Sequence, residues 1–365
     1  LRPDLSSKKC RLLKYQPTTA ASAVVVQTFP YRNFINFRNL KKMILVLTDK
    51  FDKHADIVCE KLIAKGLKYF RLDLDTESLK NTYITFVSGE WRISKNNITT
   101  NSKSIHSVWA RRAFVELSLE EKEINDAGFK IWRGEWNKTL LGLYNSIKNI
   151  NWLNPLAKSY QAENKYLQFE IAEKIGFAIP SFIVSNRKNE LLEFMNPHEE
   201  VVLKLMNQEF YQDHDGKFKG LYVNKISYDD IKDFQNKCEN PIVLQKYINK
   251  LYEVRYTVVG DQHLVCRIDS QESKLANVDW RRYDIPNTPH HPMEPPVEIR
   301  NKVDLFMQSL DLKFGAMDFI VTPNNDWYFL EINTMGQWLW IEDLTGLKIS
   351  DAIVNFLSTN QKEVL

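Results

Sequence analysis

Glycine is scarce, with 12 residues in 365, and none falls into GxGxxG or GxxxxGK[ST]. A Rossmann or Walker-type nucleotide site is therefore disfavoured, and any nucleotide must be held another way. The four cysteines, Cys10, Cys59, Cys238 and Cys266, are scattered, with no CxxC pair and no histidine at metal spacing. A reduced, cytoplasmic setting is the simplest reading. Excess charge is also missing. The net value is +3, without the clustered basic stripes that a nucleic-acid or membrane partner requires. No apolar run approaches the ~20 residues that span a bilayer.

What is present is an ordinary globular composition, 44% hydrophobic and 26% charged, on a chain too long for one hydrophobic core. Residues 1–42 lack a clean period and read as an appended, flexible extension. From Met43 (MILVLT) the pattern becomes β-α-β: a strand at 44–47, a helix at 55–65 and a strand at 69–74. A hairpin follows around Ser88-Gly89, then a strand at 105–110 and helices near 118–127 and 133–149. This gives an N-terminal α/β domain at 43–150. A second unit, 151–248, opens near Asn154-Pro155 with a helix at 162–175 stopped by Gly176. Strands at 182–184, 201–206 and 242–247 follow, with a helical stretch at 228–236. The third unit, 249–365, has a hairpin turning at Gly260-Asp261 and a helix near 297–310. Strands at 314–321 and 327–332 and a closing helix near 349–358 complete it. His290-His291 reads as loop surface in a proline-rich stretch.

The sharpest chemistry lies in FGAMDFIVTPNNDWYFLEIN, residues 314–333. If Pro323 to Asp326 form the turn, Thr322 faces Trp327, and counting back sets Asp318 opposite Glu331. Glu331 and Asn333, two apart, share a face. Two carboxylates at cross-strand distance repel unless a cation or proton lies between them, and hard oxygen donors of this kind suit Mg²⁺. The plainer alternative is the polar face of an edge hairpin. Lys204 in VVLKLM and Lys165 in AENKYLQF are each either phosphate ligands or snorkelling surface lysines. Glu253 and Arg255 share a strand face, as half of a cross-sheet salt bridge or as a charge beside a phosphate.

The order of these motifs resembles that of an ATP-grasp ligase of the RimK-like branch over roughly 150–358. The stretch 43–358 resembles more closely the peptide ligases that make microviridin-type graspetides. The pieces that carry this are MILVLT, Val108-Trp109-Ala110-Arg111-Arg112, Trp152-Leu153-Asn154-Pro155, the 162–168 helix, Val258-Val259-Gly260-Asp261, Asp269-Ser270-Gln271, and Gly336-Gln337-Trp338-Leu339-Trp340-Ile341-Glu342. The resemblance implies an α/β chain with an ATP-grasp fold: a small N-terminal pre-ATP-grasp domain, a central α+β domain and a C-terminal antiparallel-sheet domain. It implies ATP between the last two, with Lys165 and Lys204 on its phosphates and Glu253 beside it. The hinge Gln245, Lys246, Tyr247 and Ile248 would bind adenine, and Asp318, Glu331 and Asn333 would hold Mg²⁺. Arg255 and Arg281 are the residues expected to stabilise an acyl phosphate and its tetrahedral adduct. The implied partner is a ribosomal precursor peptide, whose Asp or Glu side chain is activated and joined to Thr, Ser or Lys as an ester or amide. Its leader would dock on a hairpin at 206–224 and a helix at 227–237. There Asp229, Asp230 and Asp233 either meet a basic leader residue or form a solvated acidic face. A homodimer would fit the family.

Two other readings are kept. One is a RimK-like ligase that adds an amino acid to a protein or small acceptor by the same chemistry. The other is a peptide-binding module without turnover, against which the intact Asp318, Glu331 and Asn333 set and both lysines speak.

Overall fold

The computed structural model describes residues 42–206, 223–275, 277–278 and 284–359, with backbone alone at 210–212 and 218–220. Apart from Lys42, the extension read at 1–42 lies outside the described residues.

The first part is built on a parallel sheet. Strands β1 (Met43–Thr48) and β2 (Tyr69–Asp73) are joined through α1 (Lys53–Ala64), which Asp52 caps by accepting from the His54 amide. After α2 (Thr76–Lys80) the chain forms a small antiparallel sheet of β3 (Tyr83–Val87), β4 (Glu90–Lys95) and β5 (Ile98–Asn101). It returns to the parallel sheet as β6 (Ile105–Ala110). Helices α3 (Leu119–Lys122) and α4 (Ala127–Ser146) precede β7 (Asn151–Leu153), giving the order β2-β1-β6-β7. Strands this apolar on both sides suit a sheet buried on both faces. Ile44 and Val46 accordingly face one hydrophobic cluster, and Leu45 and Leu47 another.

The central part opens with α5 (Leu156–Ala162) and α6 (Lys165–Ile175). The single helix expected from 162 onward is thus divided. Asn164 accepts from the amides of Tyr166 and Leu167, restarting the helix at Lys165. Gly176 closes α6 in the left-handed conformation, φ 88°. Then come β8 (Phe182–Arg187), α7 (Lys188–Met195), β9 (Val201–Lys204), the hairpin β10 (Phe210–Gln212) and β11 (Phe218–Gly220), β12 (Asn224–Ile226), α8 (Tyr228–Lys232) and β13 (Lys237–Lys246). Their main sheet has the order β12-β9-β13-β8.

The last part is an antiparallel sheet ordered β16-β15-β14-β17-β18: β14 (Tyr252–Val259), β15 (Gln262–Ile268), β16 (His290–Pro292), β17 (Phe314–Val321) and β18 (Trp327–Asn333). Helix α9 (Val297–Ser309) covers one face, where Val254, Tyr256, Met317, Phe319 and Phe329 join Val303 and Phe306 in one core. On the other face, α10 (Leu339–Thr345) and α11 (Ile349–Ser358) contribute Ile341, Ile353 and Leu357 to a cluster with Val259, Cys266, Ile268 and Phe314. That cover stops short of the sheet's far end, which leaves a polar face toward the central part. His290-His291 is therefore an edge strand, not loop surface: the register Ile268 to His290 and Cys266 to Pro292 binds it into the sheet.

Buried amides clamp the parts together. Asn154 donates to the carbonyls of Phe314 (2.8 Å) and Thr334 (3.0 Å) and accepts from the amides of Lys313 and Phe314. Gln168 accepts from the Ile332 amide and donates to its carbonyl, both at 3.0 Å, so it completes the outer edge of β18. Arg111, 3% exposed, bonds Asp52 and the carbonyls of Met335 and Gly336.

Candidate active site

The polar end of the five-stranded sheet is one rung, Arg255–Asp318–Glu331 across β14, β17 and β18. Arg255 Nη1 lies 2.8 Å from Asp318 Oδ1, and its Nη2 donates to the Gln337 carbonyl at 3.2 Å. Lys165, at the first turn of α6, puts Nζ 2.9 Å from Glu331 Oε2, and Lys204 on β9 approaches the same oxygen at 3.6 Å. Lys204 also stands 5.9 Å from the centre of the Phe169 ring. Lys204, Arg255, Asp318 and Glu331 are all 4–6% exposed. Charges so deeply buried persist only when paired, and here three cations from three elements face two carboxylates.

The hairpin that delivers Glu331 differs in detail from the sequence count. Val321, not Thr322, pairs with Trp327, because Thr322 and Asp326 close the turn by the Thr322 amide to Asp326 carbonyl bond. That slip of one residue is cancelled further along. Phe319 pairs with Phe329 but Asp318 with Glu331, so Leu330 is the extra residue of a β-bulge. Trp327 and Phe329 point into the core below, and after the bulge Ile332 does so, while Glu331 has turned to the cleft. In an unbulged strand Glu331 would share the face of Phe329 and enter an apolar core. The bulge is what presents the carboxylate.

Beside this rung lies a cleft of about 600 Å³ of empty space, partly open to solvent. Val202, Ile320 and Leu330 give it apolar walls, and Gln245 to Ile248 form its rim. The Lys246 amide donates to the Ser181 carbonyl at 2.8 Å and the Tyr247 amide to the Glu200 carbonyl at 3.0 Å. These two amides of the expected adenine hinge are thus used within the protein. Glu253 does share the Arg255 face, but its carboxylate pairs with the 4% exposed Lys250, which also donates to the Val278 carbonyl at 3.0 Å. Lys250 was not singled out in the sequence. Its burial depends on strand contacts that no local pattern reveals.

Among the described residues no three His, Cys, Asp or Glu side chains converge as a metal site. The donor set nevertheless fits Mg²⁺: two buried carboxylates on adjacent strands and, two residues on, the half-buried Asn333 amide, with water and phosphate oxygens to complete the shell. Arg281 lies outside the described residues. In α8, Asp230 is committed to a capping box with Ser227, Asp229 pairs with Lys232 at 2.9 Å, and Asp233 ends the helix. All three are exposed. No helix among the described residues is long and apolar enough to cross a membrane.

A cleft between two antiparallel sheets, with lysines of the central part facing carboxylates of the five-stranded sheet, is the architecture of an ATP-grasp enzyme. The family model described as the MvdD pre-ATP grasp domain matches residues 43–160. Among solved structures, the RiPP-associated ATP-grasp ligase of Chryseobacterium gregarium, in complex with ADP and a leader and core peptide, is 31% identical. Its TM-score is 0.77, and the alignment covers 87% of this chain and 96% of that one. Macrocyclase MdnC of Microcystis aeruginosa MRC, bound with precursor peptide MdnA, is 25% identical at TM-score 0.76, covering 86% of this chain and 99% of that one. Macrocyclase MdnB of the same organism is 29% identical at TM-score 0.69, covering 87% and 99%. No curated protein sequence matches. The chain belongs to the RiPP-associated ATP-grasp ligases, the branch that includes the graspetide macrocyclases, and is an ATP-dependent ligase.

Proposed function

We propose that this ligase activates Asp or Glu side chains of a ribosomal precursor peptide as acyl phosphates and closes them onto Thr or Ser hydroxyls, or Lys amines, as macrocyclic esters or amides. The observation that carries the reading is the buried rung Arg255–Asp318–Glu331 with Lys165 and Lys204 converging on it beside an apolar-walled cleft. It is supported by relatives solved with ADP and with leader, core or precursor peptides.

Adenine fits between Val202, Ile320 and Leu330, with Gln245, Lys246, Tyr247 and Ile248 at its edge. Because the Lys246 and Tyr247 amides are already bonded, the Ile248 amide is the donor of this segment best suited to a base nitrogen. Lys165 and Lys204, both within ion-pair distance of Glu331, would exchange that carboxylate for phosphate oxygens. Charge-assisted bonds of this kind are the strong ones. Asp318, Glu331 and Asn333 would hold Mg²⁺, which would supply positive charge to offset that of the transferring phosphate. Arg255, fixed from both sides by Asp318 and the Gln337 carbonyl, aims a preorganised cation at the acyl phosphate and at the oxyanion formed when the acceptor adds. Arg281 is proposed for the same developing charge. Helix α8 and the β10–β11 hairpin are proposed as the leader dock, with Asp233 and Asp229, the latter exchanging its Lys232 partner, as the acidic groups, Asp230 being held by its cap. A homodimer is proposed as the working assembly, and the cytoplasm as its place.

The test is Glu331→Gln, which keeps shape while removing the charge. ADP release dependent on Mg²⁺ and peptide should disappear while the folded far-ultraviolet spectrum remains. Undiminished turnover in this variant would remove the rung from the mechanism.

A further inference from the structure

The link from β13 to β14, residues 247–251, carries the chain from the central sheet to the five-stranded one. Lys250 lies within it. A lysine normally keeps its ammonium in water, yet Lys250 is 4% exposed and lines the cleft together with Glu253 and Val278. Its Nζ pairs with the Glu253 carboxylate on β14 and donates to the Val278 carbonyl at 3.0 Å. The adjacent carbonyl, that of Asn277, accepts from Gln271 Nε2 at 2.8 Å. Two side chains therefore hold the Asn277-Val278 turn, and Lys250 ties that turn to the floor of the cleft.

A buried ion pair adds little net stability, because taking both charges out of water offsets their attraction. What Lys250 fixes is geometry. Glu253 shares the strand face of Arg255, two residues and roughly 7 Å away along β14, and it pairs with Ile320 across the sheet. Ile320 is one of the apolar walls, while Arg255 begins the charged rung. The Glu253 carboxylate thus stands between the walls that suit a base and the rung that suits phosphates. The part of a nucleotide that lies there is the sugar, whose hydroxyls can donate to a carboxylate.

Resting on the nucleotide placement above, we propose that Lys250 is the positioning residue for the sugar end of the cleft. By gripping Glu253 and Val278 together, it presents the carboxylate to the sugar hydroxyls and sets Val278 as a wall of the same pocket. Lys250 acts through these two groups and not on the transferring phosphate. Its contribution is to nucleotide affinity, and that contribution depends on Glu253.

The experiment compares full-length wild type, K250M, E253Q and the double variant by titration calorimetry with Mg²⁺ and either ATP or 2′,3′-dideoxy-ATP, beside thermal melts without ligand. K250M and E253Q should each raise the Kd for ATP about tenfold or more. The double variant should bind ATP as E253Q does, because the group that Lys250 positions is already altered. With the dideoxy nucleotide most of the K250M loss should vanish. Wild-type affinity in K250M beside a weakened E253Q overturns the role of Lys250 and leaves the nucleotide placement standing. Losses that multiply in the double variant overturn it too, as does a K250M loss equally large for the dideoxy nucleotide, which marks a general structural effect. Should K250M not fold, the double variant carries the test, since it removes both buried charges together; binding weaker than that of E253Q then overturns the assignment. Wild-type affinity in E253Q refutes the nucleotide placement itself, and the inference with it.

Discussion

Lys204→Met separates charge from packing at the cleft. Lys204 is 6% exposed, with its ammonium 3.6 Å from Glu331 and 5.9 Å from the centre of the Phe169 ring. Methionine keeps a flexible, unbranched side chain in largely apolar surroundings. Without nucleotide, Glu331 retains Lys165 at 2.9 Å, so no carboxylate is stranded, and one costly buried ammonium is gone. The stability of the nucleotide-free protein should stay within about 1.5 kcal/mol of wild type, or rise. Nucleotide binding behaves differently. A charge-assisted hydrogen bond to phosphate contributes about 1.5–3 kcal/mol, so the Kd for AMPPNP should rise roughly 10- to 150-fold. Titration calorimetry with Mg²⁺ and AMPPNP, beside thermal melts without ligand, reads the two effects separately. Unchanged affinity refutes the phosphate role, and so does a loss of affinity that merely tracks a large fall in Tm.

Two further outcomes follow from groups away from the nucleotide. A Cβ at Gly336 would lie 2.7 Å from that of Ala316 and 3.1 Å from that of Asn333, neither of which can rotate away. Gly336→Ala should therefore cost about 1–3 kcal/mol and lower turnover, as the loop holding Arg255 and Arg111 is displaced; a wild-type melting curve with wild-type turnover contradicts this. His54, packed edge-on against Trp338 at 4.8 Å, has its pKa pushed down to about 4 by burial and by Arg111, against the pull of Asp52. The unfolded chain then binds a proton that the fold does not. The resulting stability is fully present above about pH 6.5 and is lost as pH falls toward 4, by at most about 3 kcal/mol. Urea titrations at pH 7 and pH 5 should show that loss, and His54→Gln should shrink it; an equal slope in the variant rules out His54 as its source.

Much of the site was legible because it depends on local periodicity. The chain's alternation in β17 and β18 opposed Asp318 to Glu331, although two one-residue errors had to cancel: the turn is longer by one and Leu330 is bulged. Neither is visible in composition, since a bulge at Leu330 is dictated by burying Ile332 and Phe329 on one face. The start of α6 was misread because apolar spacing continues through Asn164, and only the cap geometry breaks the helix. His290 read as loop because three residues among prolines make no strand alone; pairing with β15, long-range in origin, decides it. Arg111, Asn154 and Gln168 stood out in the sequence as pieces of a resemblance, and their work is long-range clamping across parts that sequence spacing does not bring together.

The central claim is tested most directly by the intact mass of the candidate precursor peptide after incubation with the enzyme, ATP and Mg²⁺. Each ring formed by condensation removes one water, so successive losses of about 18 Da are predicted, with hydroxide lability marking esters. A peptide of unchanged mass while ATP is consumed contradicts macrocyclisation and points to another acceptor for the activated carboxylate.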